Sequence, residues 1–230
     1  MIENYDTMIM FTIFGLPINA TLFYSWVVML ILVVLSKAAT YNLKTTLKVS
    51  KFQTALESIV MVIRNQVRDI SNDNPIKYLP IIGTFFLYIG MSNLLTIIPW
   101  FKPPTGSLST TAAFSLCVFF AMPYYGIKNA GLKKYLMKYL DPSPIMLPMN
   151  ILSDFSSVFS LAVRLYGNVL SASIIASVLM MLTPFLLPLP LQILGLVTGM
   201  IQAYIFALLA IVYVSSVQSS EPFVDHLKEY

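Results

Sequence analysis

Residues 145–182 read IMLPMNILSDFSSVFSLAVRLYGNVLSASIIASVLMML, and the length of this apolar stretch decides the fold. Gly167 is its only glycine, and no Gly-Pro break divides it. A continuous helix over these 38 residues would be about 57 Å long at 1.5 Å per residue. The hydrocarbon core of a bilayer is only about 30 Å thick. The stretch therefore predicts a membrane helix that tilts strongly, bends or extends beyond the bilayer.

The composition of the whole chain also places it in the membrane. Its 230 residues are 57% hydrophobic and 10% charged, with a mean hydropathy of +0.78. Such values are typical of proteins that cross the membrane several times. We expect one membrane domain over residues 1–230. Residues 1–76 would hold a first span and an interfacial helix, 77–140 a transmembrane hairpin and cytoplasmic loop, and 141–230 a long helix hairpin and tail.

The hydrophobic pattern predicts five membrane spans. They cover about 21–36, 78–100, 108–127, 145–182 and 191–217. Several of these windows offer the roughly 20 apolar residues that a helix needs to cross a bilayer. The predicted fold class is therefore an all-α membrane protein with about five transmembrane helices, whose last two are long, tilted and form a hairpin.

An amphipathic segment at 41–73 separates the first two spans. Its apolar residues recur at helical spacing, whereas its charged residues fall on another face of the same helix. The apolar set is Phe52, Leu56, Val60 and Ile63, and the charged set is Lys51, Glu57, Arg64 and Arg68. This pattern predicts a helix that lies along the membrane surface.

The basic residues predict the orientation of the chain. If the N-terminus lies outside and five spans follow, twelve of the fourteen Lys and Arg residues fall on the cytoplasmic side. Lys102 is then external, and Arg164 lies within the membrane. Because cytoplasmic loops are enriched in Lys and Arg, we expect the N-terminus outside and the C-terminus inside.

Several classes of site are excluded by the residue inventory. His226 is the only histidine and Cys117 the only cysteine, which excludes a zinc cluster, a histidine-based triad and an internal disulfide. The sequence contains no GxxxxGK[ST] motif, so no ATP site of that kind is expected. Its basic residues lie beside apolar spans, which fits membrane topology better than nucleic-acid binding. We expect no fixed metal site and no cofactor.

Arg164 is the residue most in need of an explanation. An arginine near the centre of a membrane helix costs about 2.5–3.5 kcal/mol on insertion scales. Asp154 lies ten residues earlier, about 15 Å away along the axis and about 80° around it, so direct pairing is not expected. The sequence therefore favours a compensating carboxylate from another subunit.

Polar residues form a strip on each of the two long helices. They suggest paths that admit water or ions to Arg164 from opposite sides. The candidates for these ion paths are Asn93, Asn150, Asp154, Ser157, Asn168, Ser171, Ser173, Gln202 and Tyr213. Small polar residues can also serve only to pack membrane helices, and Asn93 could equally form a hydrogen bond between helices.

The motifs VRLYGN at 163–168 and QAYIFALLAIVY at 202–213 resemble subunit a of the rotary F-type ATP synthases. SNLLTIIP at 92–99 is similar to the end of a span in that family, and LPMNILSDFSSVFSLAVRLYGN at 147–168 is similar to its stator helix. The order and spacing of these motifs make the resemblance specific over most of the chain.

The resemblance implies a function and a set of partners. Arg164 would be the stator arginine that faces the ring of c subunits, with Asn168 and Gln202 beside it. Two offset half-channels would carry Na⁺ or H⁺ to and from the carboxylates of that ring. The implied partners are the c ring, b-type subunits of the peripheral stalk, the remaining ATP synthase complex and the lipid bilayer, and the implied location is a bacterial plasma membrane.

Several positions depart from the common family pattern. Ser157 and Val158 stand where many members have Lys-Pro, and Ser173 and Gly195 stand where others have acidic residues or histidine. The loop PPTGSLSTT at 103–111 lacks the common Asp and Asn. This pattern is similar to the alternate bacterial N-type branch, whose members are often thought to be sodium-linked.

Two other classes of function remain open at this point. A self-contained ion channel or secondary transporter would use Asp154 and Arg164 as its own gate, although the chain has no internal repeat and few intramembrane acids. A structural anchor for a larger complex would use the polar strips only for packing.

Overall fold

The computed structural model describes most of the chain. The described residues are 9–13, 16–41, 51–70, 75–98, 101, 103–140, 143, 145–182 and 188–216. Near the N-terminus, strands β1 (Ile9–Ile13) and β2 (Leu16–Asn19) pair in antiparallel fashion. This short hairpin was not predicted from the sequence. Everything else of regular structure in the described residues is helical.

In the described residues, seven α-helices follow the hairpin. They are α1 (Ala20–Tyr41), α2 (Lys51–Ile70), α3 (Leu79–Leu94), α4 (Leu108–Ala130), α5 (Leu132–Leu140), α6 (Met146–Leu182) and α7 (Pro188–Ser216). Helices α1, α3, α4, α6 and α7 are long and apolar enough to cross a membrane. The predicted all-α membrane fold with five spans is therefore confirmed.

The continuous long helix predicted over residues 145–182 is present as α6. It runs without interruption for 37 residues, which corresponds to about 55 Å. One of its faces is buried against α4 and α7, through Val158, Leu161, Ala162 and Leu165. The opposite face is exposed at the surface of the chain, where lipid or another subunit can contact it.

Helices α3 and α7 form the centre of the bundle. The rings of Phe85 and Phe206 meet edge to face with centroids 5.6 Å apart. Gly90 of α3 lies against α7, where a Cβ would make ordinary contact with Met200 Sδ at 3.8 Å and with the Ala203 Cβ at 4.0 Å. Small residues at a helix contact are the usual means of packing in membranes, where lipid removes the hydrophobic advantage of larger side chains.

Helix α2 is amphipathic, as predicted, but only its C-terminal half packs against α3 and α7. Ile63 and Val67 are buried there, and the Tyr204 hydroxyl donates to Gln66 Oε1 at 2.7 Å. Val60, in the apolar set of the predicted surface helix, is 48% exposed, so this part of the apolar side is not covered by the rest of the chain. Arg64 is exposed as expected, and so are Glu57 and Arg68. The side chains of Lys51, Phe52 and Leu56 lie outside the described part.

Helix α5 was not predicted as an element. Gly131, with φ of 83°, separates it from α4, and this left-handed backbone region favours glycine. The nine residues of α5 lie against α4 and α6. Tyr135 and Tyr139 are its half-buried side chains. The helix therefore covers the end of the bundle at which α6 begins.

Candidate functional site

Arg164 lies on the exposed surface of α6. Its neighbours on the buried face, Leu161 and Leu165, fix the helix against the bundle and leave the guanidinium directed away from it. No described residue forms an ion pair or a hydrogen bond with Arg164. The structure thus agrees with the expectation that Asp154 does not neutralise it. A cation in this position needs a partner from outside the described residues.

A polar stripe runs along α6 on the same side as Arg164. At 100° per residue, Ser157, Asn168 and Ser171 lie within about 40° of Arg164 around the helix axis. The Ser157 hydroxyl donates to its own helix at the Ser153 carbonyl (2.9 Å), and Ser171 does so at the Gly167 carbonyl (2.7 Å). Their oxygen lone pairs remain able to accept hydrogen bonds or to contact a cation.

A cavity of about 590 Å³ lies at the end of the bundle where α3 and α6 finish and α7 begins. We call it the large cavity. It brings together three of the predicted residues, Asn93, Asn168 and Ser173. Around the α6 axis, Ser173 lies about 180° from Arg164, whereas Asn168 lies only about 40° away. Asn168 therefore connects the large cavity with the arginine side of α6.

Three further polar side chains line the large cavity and were not predicted. They are Thr96, Ser177 and Gln192. Ser177 follows Ser173 by one helical turn, a spacing that could have identified it from the sequence. Thr96 and Gln192 come from two other segments, and only the fold brings them to the same cavity.

Asn93 joins α3 to α7. It is 4% exposed, and its Nδ2 donates to the Gly199 carbonyl at 2.8 Å. The hydrogen bond between helices that the sequence left open for Asn93 is therefore present. Asn93 also forms part of the wall of the large cavity, so its packing contact and a place in an ion path are compatible.

Gln202 and Tyr213, the two ion-path candidates of α7, lie on the same side of that helix as Gly199. Gln202, one turn after Gly199, is 8% exposed, and its amide has no hydrogen-bond partner among the described residues. Tyr213 lies eleven residues further along, about 16 Å away, and packs partly buried against the hydrophobic core. Gln202 is therefore a polar group of α7 that is free to bind water or a neighbouring side chain.

Asp154 is held by α5 at the opposite end of the bundle. Tyr139 Oη donates to Asp154 Oδ2 at 2.6 Å, and Tyr135 Oη donates to Tyr139 Oη at 3.2 Å. Asn150 Nδ2 donates to the Tyr139 carbonyl at 3.2 Å. Two of the predicted polar residues of α6 are thereby joined to a helix that the sequence did not reveal. The signal in KKYLMKYL was the pair of tyrosines at helical spacing.

The Tyr139 hydroxyl keeps its proton in this arrangement. Burial raises the pKa of Tyr139 well above its usual value, and the hydrogen bonds to Asp154 and Tyr135 raise it further. The pKa of Tyr135 is also raised, mainly by burial. Both phenols are therefore donors at any physiological pH, which leaves the Asp154 carboxylate as the acceptor.

The described residues contain no group of three or more His, Cys, Asp or Glu side chains placed to hold a metal ion. The polar groups that they do bring together are mostly hydroxyls and amides. Such groups can solvate a moving ion but do not resemble a tight metal centre.

Comparisons with known proteins agree with the geometry. The sequence profile of the family described as "ATP synthase A chain" matches residues 22–215. A protein of Acaryochloris marina named ATP synthase subunit a 2 is 51% identical over 199 residues, covering 86% of this chain and 85% of that protein. ATP synthase subunit a 1 of Crocosphaera subtropica is 50% identical with 86% of each chain covered, and ATP synthase subunit a of Albidiferax ferrireducens is 48% identical with 87% of each covered.

Proposed function

Because the chain belongs to the family of ATP synthase subunit a, we propose that it forms the stationary part of the ion path through the membrane sector of that enzyme. Its partner is the rest of the ATP synthase complex. Within that complex we expect contacts with the ring of c subunits and with b-type subunits of the peripheral stalk. Two half-channels, each crossing part of the membrane, would deliver ions to and from carboxylates of the ring.

The exposed position of Arg164 is the observation that carries this proposal. An unpaired arginine in a span costs about 2.5–3.5 kcal/mol on insertion scales. A carboxylate of a neighbouring subunit 4 Å away would attract it by about 4 kcal/mol at an effective dielectric near 20. The attraction to one passing c-ring carboxylate is thus sufficient to offset the cost of placing Arg164 in the membrane. Arginine suits this task because it stays charged even when water is excluded.

The large cavity supports one half-channel. It opens where α3 and α6 end, which is the outer end if the N-terminus lies outside. Its wall reaches Asn168, one helical turn beyond Arg164. An ion that enters here could therefore approach the arginine side of α6 and neutralise a ring carboxylate. A neutral site can then move through lipid far more cheaply than a bare carboxylate.

The polar stripe of α6 supports the other half-channel. Ser157 and Asn150 continue it from Arg164 toward the end of the bundle covered by α5. Gln202 on the neighbouring helix α7 supplies an amide without a partner among the described residues. Since Arg164 lies between the two paths, its positive charge would repel a cation that attempted to pass straight from one to the other. Ion flow would then require rotation of the ring.

We propose Na⁺ as the transported ion. The polar side chains of the described residues that line the large cavity are all neutral, and none of them can relay a proton by titration. They are Asn93, Thr96, Asn168, Ser173, Ser177 and Gln192. Hydroxyl and amide oxygens are hard ligands that suit Na⁺. The replacement of titratable groups at Ser173 and Gly195, seen against the common family pattern, points the same way.

ATP-driven ion uptake into proteoliposomes that contain the purified complex tests both parts of the proposal. Uptake that needs Na⁺ and survives a protonophore supports Na⁺ transport, whereas Na⁺-independent acidification that a protonophore abolishes would identify H⁺. Arg164→Ala should abolish coupled uptake. Arg64→Ala, at an exposed arginine of α2, is the matched control and should retain it. Coupled uptake that survives Arg164→Ala would contradict the mechanism and favour a structural anchor.

A further inference from the structure

A second and smaller opening lies at the other end of the bundle, between α4, α5 and α6. This small cleft has a volume of about 200 Å³ and is lined almost entirely by apolar side chains. Phe119 and Met122 of α4, Leu136 of α5, and Leu147 and Ile151 of α6 form most of its wall. The cleft contributes nothing to the large cavity, which lies where α6 ends.

The segment that borders the small cleft combines basic and apolar residues. Between Lys128 and Lys138 the sequence contains four lysines and no acidic residue. Leu132 and Leu136 are 58% and 48% exposed, so the apolar side of α5 is not covered by the rest of the chain. Lys133 is exposed as well. A short helix of this kind, held between the ends of two spans, is suited to the boundary between headgroups and hydrocarbon.

The cleft extends from the level of Lys128 toward the middle of the apolar helix α4. Phe119 precedes Lys128 by nine residues, which places it about 13 Å deeper along α4. Tyr124 lies between these levels, 60% exposed, with the Lys128 ammonium 5.7 Å from its ring centroid. Exposed tyrosine beside lysine is typical of the membrane interface. Polar side chains therefore lie near one end of the apolar small cleft.

We propose that α5 and the small cleft bind an anionic phospholipid of the cytoplasmic leaflet. Its phosphate lies beside the lysine-rich segment 128–138, where Lys128 and Lys133 are exposed, and one acyl chain enters the small cleft between α4 and α6. Clusters of four or more basic residues next to a span attract anionic headgroups. The Asp154 carboxylate in the deep wall does not oppose this ligand, because Tyr139 already donates to it and the headgroup stays at the level of the lysines.

Photo-crosslinking of the purified intact complex in nanodiscs tests the site. The probe is phosphatidylglycerol with a diazirine midway along one acyl chain, and its charge control is phosphatidylcholine with the same chain. We expect the phosphatidylglycerol probe to label peptides that contain Phe119, Met122, Leu147 and Ile151. At sub-saturating probe, replacing lysines 133, 134 and 138 by glutamine should weaken labelling by roughly fivefold for each charge removed, since each is worth about 1 kcal/mol near the surface.

Two matched controls separate this site from general contact with lipid. The same exchange at lysines 37, 44 and 48, which are also predicted on the cytoplasmic side, should leave the labelling unchanged. Leu136→Trp should fill the cleft and abolish labelling, whereas Leu132→Trp on the exposed part of the same helix should not. Equal labelling by both probes, or labelling that survives both the lysine exchange and Leu136→Trp, would overturn the proposal. Shielding of the cleft by a peripheral-stalk subunit would also overturn it.

Discussion

The side chain of Asn93 lies across Gly199, and this contact joins α3 to α7. Gly199 lies one helical turn before Gln202. Asn93 Nδ2 donates to the Gly199 carbonyl at 2.8 Å. A Cβ at position 199 would lie 2.9 Å from Asn93 Cγ, a distance at which one of the two groups must move. Glycine is therefore required here by close approach, and the pair fixes the position of α7 relative to the wall of the large cavity.

This contact predicts that Gly199→Ala destabilises the subunit and that a second change relieves the effect. The added methyl group should cost about 1–3 kcal/mol through overpacking against Asn93. In an Asn93→Ala background the same substitution should cost less, because the Asn93 Cγ at 2.9 Å and the Nδ2 at 3.1 Å are gone and only the Cβ of residue 93, at 3.1 Å, remains close. The measurement is retention of the subunit in the purified complex on heating, for both single variants and the double variant.

Gly195→Ala is the control for that cycle. A Cβ at Gly195 would lie 3.8 Å from the Ala172 Cβ, an ordinary contact, so this substitution should be tolerated. If Gly199→Ala were equally harmless, or if Asn93→Ala failed to rescue it, the close contact would not be what constrains α7.

The hydrogen bond between Tyr139 and Asp154 predicts that Tyr139→Phe loosens α5 from α6. Hydrogen bonds to charged groups contribute about 1.5–3 kcal/mol when buried, and we expect about 1 kcal/mol here because both groups are half-buried. The variant complex should therefore show a lower melting temperature for this subunit than the wild type. Tyr135→Phe, which removes only the donor to Tyr139, should have a smaller effect.

The raised pKa of Tyr139 gives this difference a defined pH dependence. Since the folded pKa lies above the unfolded value, the stabilisation is complete below about pH 10 and is lost as the pH rises further. The difference in melting temperature between wild type and Tyr139→Phe should be constant from pH 6 to about pH 9 and shrink above about pH 10. A decline that began below pH 9 would mean that the phenol ionises too readily for the described network.

The sequence was sufficient for the spans but not for the contacts between them. A bilayer imposes a minimum length on each apolar helix, so α1, α3, α4, α6 and α7 could be found from hydrophobicity alone. The nine residues of α5 are too short for that signal, and the strands before α1 have no comparable constraint. Helical geometry correctly separated Asp154 from Arg164, because both residues lie on one rigid element.

The partners of the candidate residues could not be predicted for a physical reason. Asn93 and Gly199 are 106 residues apart, and nothing local to either position indicates that they meet. Likewise, nothing in the local sequence indicates that Thr96 and Gln192 line the same cavity. The partner proposed for Arg164 belongs to another subunit, so neither the sequence nor the fold of this chain contains it.

Replacing Arg164 by lysine should impair coupled transport in a pH-dependent manner. A lysine keeps the charge in water, but its pKa falls when it is desolvated, whereas arginine remains protonated. We expect the residual ATP-driven uptake of Arg164→Lys, measured relative to the wild type, to decrease as the pH is raised from 6 to 9. Arg164→Gln, which cannot be protonated, should show no coupled uptake at any pH. An Arg164→Lys variant with wild-type uptake at every pH would argue that any fixed cation suffices.

The large cavity predicts which side of the membrane reaches each polar residue. In a Cys117→Ser background, Ser177→Cys and Thr96→Cys should react with a membrane-impermeant cationic thiol reagent added from outside, because both positions line a cavity that opens at that end. Asn150→Cys, at the opposite end of α6, should react only with reagent added from the cytoplasmic side of inverted vesicles. Thr84→Cys, at an exposed position within the apolar span of α3, is a control that should react slowly from either side because thiolates form poorly in lipid. Reaction of Ser177→Cys from the cytoplasmic side alone would reverse the proposed orientation, since the two ends of α6 would then have exchanged sides.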